Sequence, residues 1–530
     1  MKTLKDSLAF VRLLMLSPMS PARRFVLLLV LLATVWPRPA MALTEFYLDP
    51  NYTGTHSGTQ SQPFSTLDAS AWSTINTALA TDNVTLYCSA RNAGADTNQV
   101  WGVNVDVTRK TANPSFTLTF DGRSKYNTNE TIPSWSAYSG VSRCQVLSFQ
   151  SQNSAHTKYN KVTIDGFVIA QSGSDKGVSI CGDDWTVQNS DISHGPLAAS
   201  APLFLLVPTA DSVHEGSSSW CNPSSNITIQ DNVIHDSDGE LIYLGGAGCS
   251  LSATAADQKA LRTDNGACSG VPSHRNITIR RNTLSRCGSR GPQGDCIDLK
   301  AALTNVTISQ NVITGLIADN NYRCIVTQGI TAGGPSQNYV IERNIFTCPG
   351  VDDAAIAIVD SWGTPNGIAI RNNILYNVTN GSGIQIYDTQ SAGVQIYNNT
   401  IYNISGPGIS GNRGTVTVEN NALLANNGGG AQTAISGTVT SDHNAFSGTW
   451  GGACTTCISG LTSSAFTNVA THDFTLTSTS VLIEQGTPIA SFSNDYAGKT
   501  RPQGTAWAIG AYEFGVPSSP PMPPTTLSVR

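Results

Sequence analysis

Charge is scarce in this chain of 530 residues: Asp, Glu, Lys and Arg together make up 12% of it. Helix-forming bias is slight as well, whereas Asn, Ser, Thr and Gly abound, with 48 glycines. Those two shortages speak against an α/β or helical enzyme and for an all-β solenoid. A surplus of positive charge is missing. Removing residues 1–42 as a targeting segment takes away six of the 30 basic and one of the 36 acidic residues, which leaves a formal charge of −11. Such a surface does not suit nucleic acid or an anionic membrane as partner. A bilayer-spanning run is missing too, because the N-terminal apolar stretch Phe25 to Val35 is too short. With Arg23-Arg24 before it and Ala40-Met41-Ala42 after it, this stretch reads as a secretory signal cleaved after Ala42. The expectation is a secreted or periplasmic monomer without a membrane span. The chain also lacks the second cysteine pair that Cys454-Thr-Thr-Cys457 would need for zinc, so a disulfide is favoured there. All 12 cysteines lie beyond residue 42, an even number in an exported chain, and several disulfides are expected.

What the chain does have is one recurring phrase. It reads Asn226-Ile-Thr-Ile-Gln-Asp-Asn232, then Asn276-Ile-Thr-Ile-Arg-Arg-Asn282, then Asn305-Val-Thr-Ile-Ser-Gln-Asn311. Later copies end at Asn344, Asn373, Asn399, Asn421 and, degraded, Asn444. Alternating apolar residues such as Ile277/Ile279 and Ile368/Ile370 bury one face of a short strand in each copy. The terminal Asn tolerates a left-handed backbone and is expected to occupy the bend that follows. Its amide both donates and accepts, so stacked copies would bond along the stack. This points to an all-β, single-stranded right-handed parallel β-helix of about ten or more coils.

The expected divisions are a signal peptide over 1–42, an N-terminal cap with irregular first coils over 43–160, and a regular β-helix over 161–450. A capping segment over 451–516 and a Pro-rich disordered tail over 517–530 complete the chain. Leu67, Ala71, Ile75 and Ala78/Leu79 have helical spacing and predict a short helix covering the first coil. Asp473-Phe-Thr-Leu, Lys499-Thr-Arg-Pro502 and Ala508 to Glu513 look like a closing motif over the last coil. The long excursion 246–275, which carries Cys249 and Cys268, interrupts one coil and is expected to form a cleft.

Aligning strands by the phrase that follows them stacks Leu241–Gly245, Cys296–Lys300 and Cys324–Gln328. Tyr243 and Asp298 then face outward in adjacent coils, as do Gly245, Lys300 and Gln328. Asp298 and Lys300, two residues apart, share a face at roughly 7 Å between α-carbons. Glu240, Asp295 and Arg323 occupy equivalent turn positions, about 4.8 Å apart per coil. Lys259, Arg262, Arg275, Arg280, Arg281, Arg286, Arg290 and Lys300 make residues 258–300 locally basic, which predicts a cleft for an anionic ligand. An alternative is that Asp298 and Lys300 form an ordinary solvated pair.

The chain as a whole resembles secreted β-helix proteins of the pectate-lyase-like superfamily. Asp295-Cys-Ile-Asp-Leu-Lys300, followed by Asn305 to Asn311, resembles the catalytic strand of β-helix polysaccharide lyases of the alginate lyase and chondroitinase B type. The resemblance implies β-elimination on a uronate-containing polysaccharide, with Lys300 as base assisted by Asp298 and Arg323. It also implies Ca²⁺ held by Glu240, Asp295 and Asp298, and substrate contacts from Glu240, Tyr243, Arg290 and Gln328. Arg323 departs from the type by lying in a turn instead of an Arg-His-Gly strand. Two alternatives remain: a glycoside hydrolase using Glu240, Asp295 and Asp298, and a non-catalytic carbohydrate-binding or adhesion β-helix.

Overall fold

The structure, a computed structural model, describes residues 43–50, 52–88, 99–100, 103–122, 144–171, 176–194, 202–206, 221–237, 239–245, 274–288, 294–300, 303–314, 323–328, 337–351, 353–359, 366–387, 392–411, 416–425, 433–436 and 440–515. The chain divides into two compact units, residues 1–44 and 45–530; the second carries the architecture below. The expected signal peptide, the excursion over 246–273, its Cys249 and Cys268, and the tail from 516 lie outside the described residues.

Three long parallel sheets, of 13, 13 and 12 strands, build a single-stranded parallel β-helix. Each coil contributes one strand to each sheet in the same order. His274–Arg280 lies in sheet I, Thr283–Ser285 in sheet II and Ile297–Leu299 in sheet III, and Leu303–Ser309 then returns to sheet I one coil further on. Sheet I strands keep the alternation of the phrase. Ile277, Val306, Tyr339, Ile368 and Val394 stack in register toward the interior, all 0–1% exposed. The helix Ala69–Ala78 begins at Asp68, whose carboxylate accepts the Ala71 N–H, and it buries Ala71, Trp72 and Ile75. Below it Trp72, Phe120, Phe149 and Phe167 pack edge to face along the axis.

The bend between sheets I and II is where the amides act. Asn232 donates from Nδ2 to Asn282 Oδ1 at 3.0 Å, and the pattern repeats through Asn311, Asn344, Asn373, Asn399, Asn421 and Asn444. Each Oδ1 also accepts the backbone N–H of the preceding asparagine, and each Nδ2 also donates to a backbone carbonyl, as Asn311 does to Ile279. Ser190 continues the column toward the N-terminus by donating its backbone N–H to Asn232 Oδ1. The left-handed backbone, however, belongs to the residue before each ladder asparagine: Asp231, Arg281, Gln310, Arg343, Asn372, Asn398, Asn420 and His443. The expectation that the ladder Asn itself takes this conformation is therefore corrected. The preceding residue makes the turn, and this aims the next side chain inward. Left-handed asparagines do occur at the start of the phrase, at Asn226, Asn276, Asn305 and Asn338, where exposed amides form a second ladder.

The C-terminal segment is placed differently from a lid over the last coil. It runs back along the outside of sheet II, so that Leu461, Phe466, Phe474, Leu482 and Ile509 cover Ile345, Ile374, Tyr376, Ala422 and Leu424. Buried Arg501 fastens it, bonding Asn372 Oδ1 at 3.1 Å, the carbonyls of Gly510 and Ala511, and Glu513 at 2.9 Å. Among the described residues five disulfides are formed: Cys88–Cys144, Cys181–Cys221, Cys287–Cys296, Cys324–Cys348 and Cys454–Cys457. They fit an oxidising, extracellular setting. No helix among the described residues is long and apolar enough to cross a membrane.

Two outcomes are expected. Asn311→Ala strands the Asn282 donors and should cost on the order of 3 kcal/mol in urea unfolding, whereas Asn305→Gly, exposed and left-handed, should cost under about 1 kcal/mol. Equal losses would remove the amide column from its structural role. Separately, His235 lies between Asp191 at 2.8 Å and Asp236 at 2.5 Å. Burial lowers its pKa, but the two carboxylates outweigh burial and lift it to about 9. That is above the unfolded value near 6.5, so the contribution is whole below about pH 6.5 and fades as pH rises through 9. Melting temperatures of wild type should fall over that window more than those of His235→Gln, and parallel curves would refute the linkage.

Candidate functional site

Sheet III carries the cluster. Strands Ile242–Leu244, Ile297–Leu299 and Ile325–Gln328 are consecutive, with Tyr243 opposite Asp298 and Asp298 opposite Val326. Ile242, Leu244, Ile297 and Leu299 point inward and are fully buried. This is the alignment expected from the phrase. Asp298 faces away from the core yet is only 1% exposed, and Lys300 Nζ lies 2.5 Å from its Oδ2. The pair is thus sequestered, not the solvated surface pair that was the alternative. Asp298 Oδ1 is buried without a hydrogen-bond partner. The Lys300 ammonium also sits 5.3 Å from the centre of the Tyr243 ring.

Beside these strands the turn residues stack as well. Leu241 N–H donates to the Asp295 carbonyl and Cys296 N–H to the Arg323 carbonyl, which sets Glu240, Asp295 and Arg323 in successive coils. Arg323 N–H donates to Asp295 Oδ1 at 2.7 Å. Its guanidinium turns the other way, to Asp353, at 2.9 and 2.5 Å. The Tyr387 ring lies 5.8 Å from it. Burial pushes the Asp295 carboxyl well above the usual range, and the charge of Asp298 pushes it further, against weaker help from Arg323. Burial raises Asp298 as well, and the opposing pull of Lys300 reduces that rise without cancelling it. Glu240 is raised by its burial and by Asp298. Two carboxylates three residues apart therefore meet unlike partners, a salt-bridged ammonium for one and a backbone N–H for the other.

Asp353 and Tyr387 are the members that spacing missed. Ile325 pairs with Ile356, which sets Asp353 one residue earlier than the Arg323 position, so an equal-position alignment passes over it. The doublet Asp352-Asp353 ahead of an apolar strand was the available signal. Tyr387 follows the strand Ser382–Ile386, two coils beyond Arg323 and too far along the sequence to be paired with it by eye. Of the expected substrate contacts, Arg290 lies outside the described residues, and Gln328 ends its strand opposite Val359.

Of the basic residues behind the expected cleft, Lys259, Arg262 and Arg290 lie outside the described residues, and three arginines of the rest point elsewhere. Arg280 bonds Gln230, Arg281 pairs with Asp231 and Arg286 with Asp236, each reaching to the preceding coil on sheet I or at the bends that flank sheet II. A count along the sequence merged residues that a coil distributes over different faces, so these arginines do not converge on sheet III. The expected calcium set does not fit either. Among the described residues no three His, Cys, Asp or Glu side chains gather closely enough for a metal, and Lys300 already holds Asp298 Oδ2. No step below is routed through a metal.

Residues 303–469 match the family model described as "Right handed beta helix region", so the helix is right-handed as expected. No curated protein matches the chain in sequence. Among solved structures it is similar to the pectate lyase Pel9A, at 11% identity and TM-score 0.37 over 90% of this chain and 98% of that one. It is also similar to PfbA, a surface adhesin of Streptococcus pneumoniae, at 14% identity and TM-score 0.34 over 70% and 77%. A third likeness is to a GH136 lacto-N-biosidase from Eubacterium ramulus, at 11% and 0.37 over 79% and 68%.

A stability test isolates Asp295. A carboxyl whose folded pKa is raised holds its proton in the native state, so stability falls as pH climbs above the unfolded value near 3.8. Asp295→Asn keeps the acceptor for Arg323 N–H and removes the titration. It should melt higher than wild type at pH 8 and differ less at pH 4. A variant that melts lower than wild type at both values would contradict the assigned environment.

Proposed function

We propose that the chain is a secreted glycan-cleaving enzyme, a glycoside hydrolase in which Asp295 is the acid and Asp298 the base or nucleophile. One observation carries this reading: Asp298 touches an ammonium at 2.5 Å, whereas among the described residues no cationic side chain pairs with the Asp295 carboxylate. Burial raises both carboxyls, but only Asp298 has an ammonium to draw it back, and glycosidic hydrolysis needs one acid and one base. Asp295 keeps its proton at neutral pH and delivers it to the leaving oxygen. Asp298, whose burial-raised pKa is drawn back by Lys300, activates water or attacks the anomeric carbon from the other side once ionised. Tyr243 offers a ring face for a sugar, since aromatic faces pack against the apolar side of pyranoses. The Arg323–Asp353–Tyr387 group forms a wall two coils further along.

A lyase with Lys300 as base is the second reading, supported by the partial exposure of Lys300, whose side chain is 15% accessible. It ranks lower for a physical reason. The Lys300 nitrogen is already engaged by the Asp298 carboxylate, so it is not free to reach a carbon-bound proton.

The two chemistries leave different products. Across a panel of neutral and uronate polysaccharides, with and without chelator, the hydrolase reading expects new reducing ends and no ultraviolet absorbance from an unsaturated sugar. Asp295→Asn and Asp298→Asn should each lower kcat by about 10² to 10⁴. Activity should also fall on an alkaline limb that lies above the ordinary carboxylate range, as Asp295 loses its proton. Unsaturated product that vanishes in Lys300→Ala but survives in Asp295→Asn would replace this reading with elimination.

A further inference from the structure

Where it covers sheet II, the C-terminal segment forms a partly open pocket of about 150 Å³ lined by Thr475, Leu476, Asp495, Lys499, Tyr512 and Glu513. The volume equals that of a protein cavity known to accept a benzene-sized guest, so one ring-sized molecule fits. Lys499 is only 8% exposed. Its ammonium has a single hydrogen bond among the described residues, a long one of 3.3 Å to the Phe514 carbonyl.

The nearby acids are engaged elsewhere. Asp495 accepts the N–H of Lys499 at 2.7 Å and that of Glu513 at 2.9 Å. Glu513 is held by Arg501 at 2.9 Å and by the Ala508 N–H. Neither carboxylate forms an ion pair with Lys499, whereas every other buried cation of this segment has one: Arg501 with Glu513. A charge taken out of water without a counter-charge is costly. Here the uncompensated ammonium borders empty space, and Tyr512 supplies an aromatic wall braced by Tyr496 at 5.2 Å.

We propose that this pocket is a second binding site, independent of the hydrolase reading, for a small oxyanion-bearing ligand whose carboxylate or phosphate pairs with Lys499. The ligand is either a sugar acid or a free oxyanion, and the assay separates them. The mature protein is titrated by calorimetry and thermal shift with sodium glucuronate, inorganic phosphate and glucose.

Glucuronate alone binding identifies a sugar-acid site, and phosphate binding identifies an oxyanion site. Either result supports the proposal if a folded Lys499→Met weakens binding by about tenfold or more, or about 1.4 kcal/mol. Should Lys499→Met not fold, Ala497→Glu, which adds a negative charge to the lining, is expected to abolish binding in its place. Three results overturn the proposal: no binding of either anion at millimolar concentration, glucose bound as well as glucuronate, or a folded variant that binds like wild type.

Discussion

The buried amide column is the constraint from which the rest of this molecule follows. Each ladder asparagine satisfies its carbonyl twice and its NH₂ twice within the stack. Such bonds contribute about 1 kcal/mol each when made and more when a buried partner is left unsatisfied. A left-handed residue before each one costs roughly 1–2 kcal/mol, so the bend is favourable only when the amide is seated. Bend and ladder therefore select each other. The chain can leave a coil for 50 residues, as between Asn232 and Asn282, or for 22, as between Asn399 and Asn421, and still return to one register.

That return is what builds the cluster on sheet III. Because every coil restarts at the ladder, residues at fixed offset after it stack, and side chains far apart in sequence share a face. Asp298 lies opposite Tyr243 and Val326 for this reason alone. Variation in loop length stays local, so a coil can carry unusual chemistry without disturbing its neighbours. Solenoid stability is nearly a sum over adjacent repeats. A coil that buries strained or uncompensated charge can thus be carried by well-packed coils on either side, such as those of Ile227 and Ile229 before it and Val306 and Ile308 after it, all fully buried.

The fold was legible because its signal is local and repeated. Period-two alternation and a fixed Asn are visible in each copy and reinforce one another. The site was half legible. Strand alignment put Glu240, Asp295, Asp298, Lys300 and Arg323 together, since their offsets from the phrase are regular. It missed Asp353, which a one-residue shift moves off that offset, and Tyr387, which reaches Arg323 only through side-chain length. It misread the arginines from 275 to 286 because sequence proximity is not spatial proximity in a coil whose neighbours point in different directions. Burial was the least legible property. Outward alternation marks Asp298 as exposed, and only the assembled face reveals a carboxylate at 1% accessibility.

Under the proposed reading, that burial separates the chemistries the residues permit. Exposed, Asp298, Lys300 and Asp295 would keep ordinary protonation states and differ little in role. Taken from water, their interactions strengthen, and contact with Lys300 becomes the feature that distinguishes one acid from the other. The same contact that steadies Asp298 as an anion ties down the lysine a β-elimination would need. A three-residue stretch therefore cannot serve both mechanisms equally well. Arg323 points the same way: its guanidinium is committed to Asp353, and only its backbone N–H reaches Asp295. The floor of sheet III thus holds two buried carboxyls with raised pKa values, beside cations that are already paired. That arrangement suits cleavage by protonating a leaving oxygen better than cleavage by drawing off a carbon-bound proton.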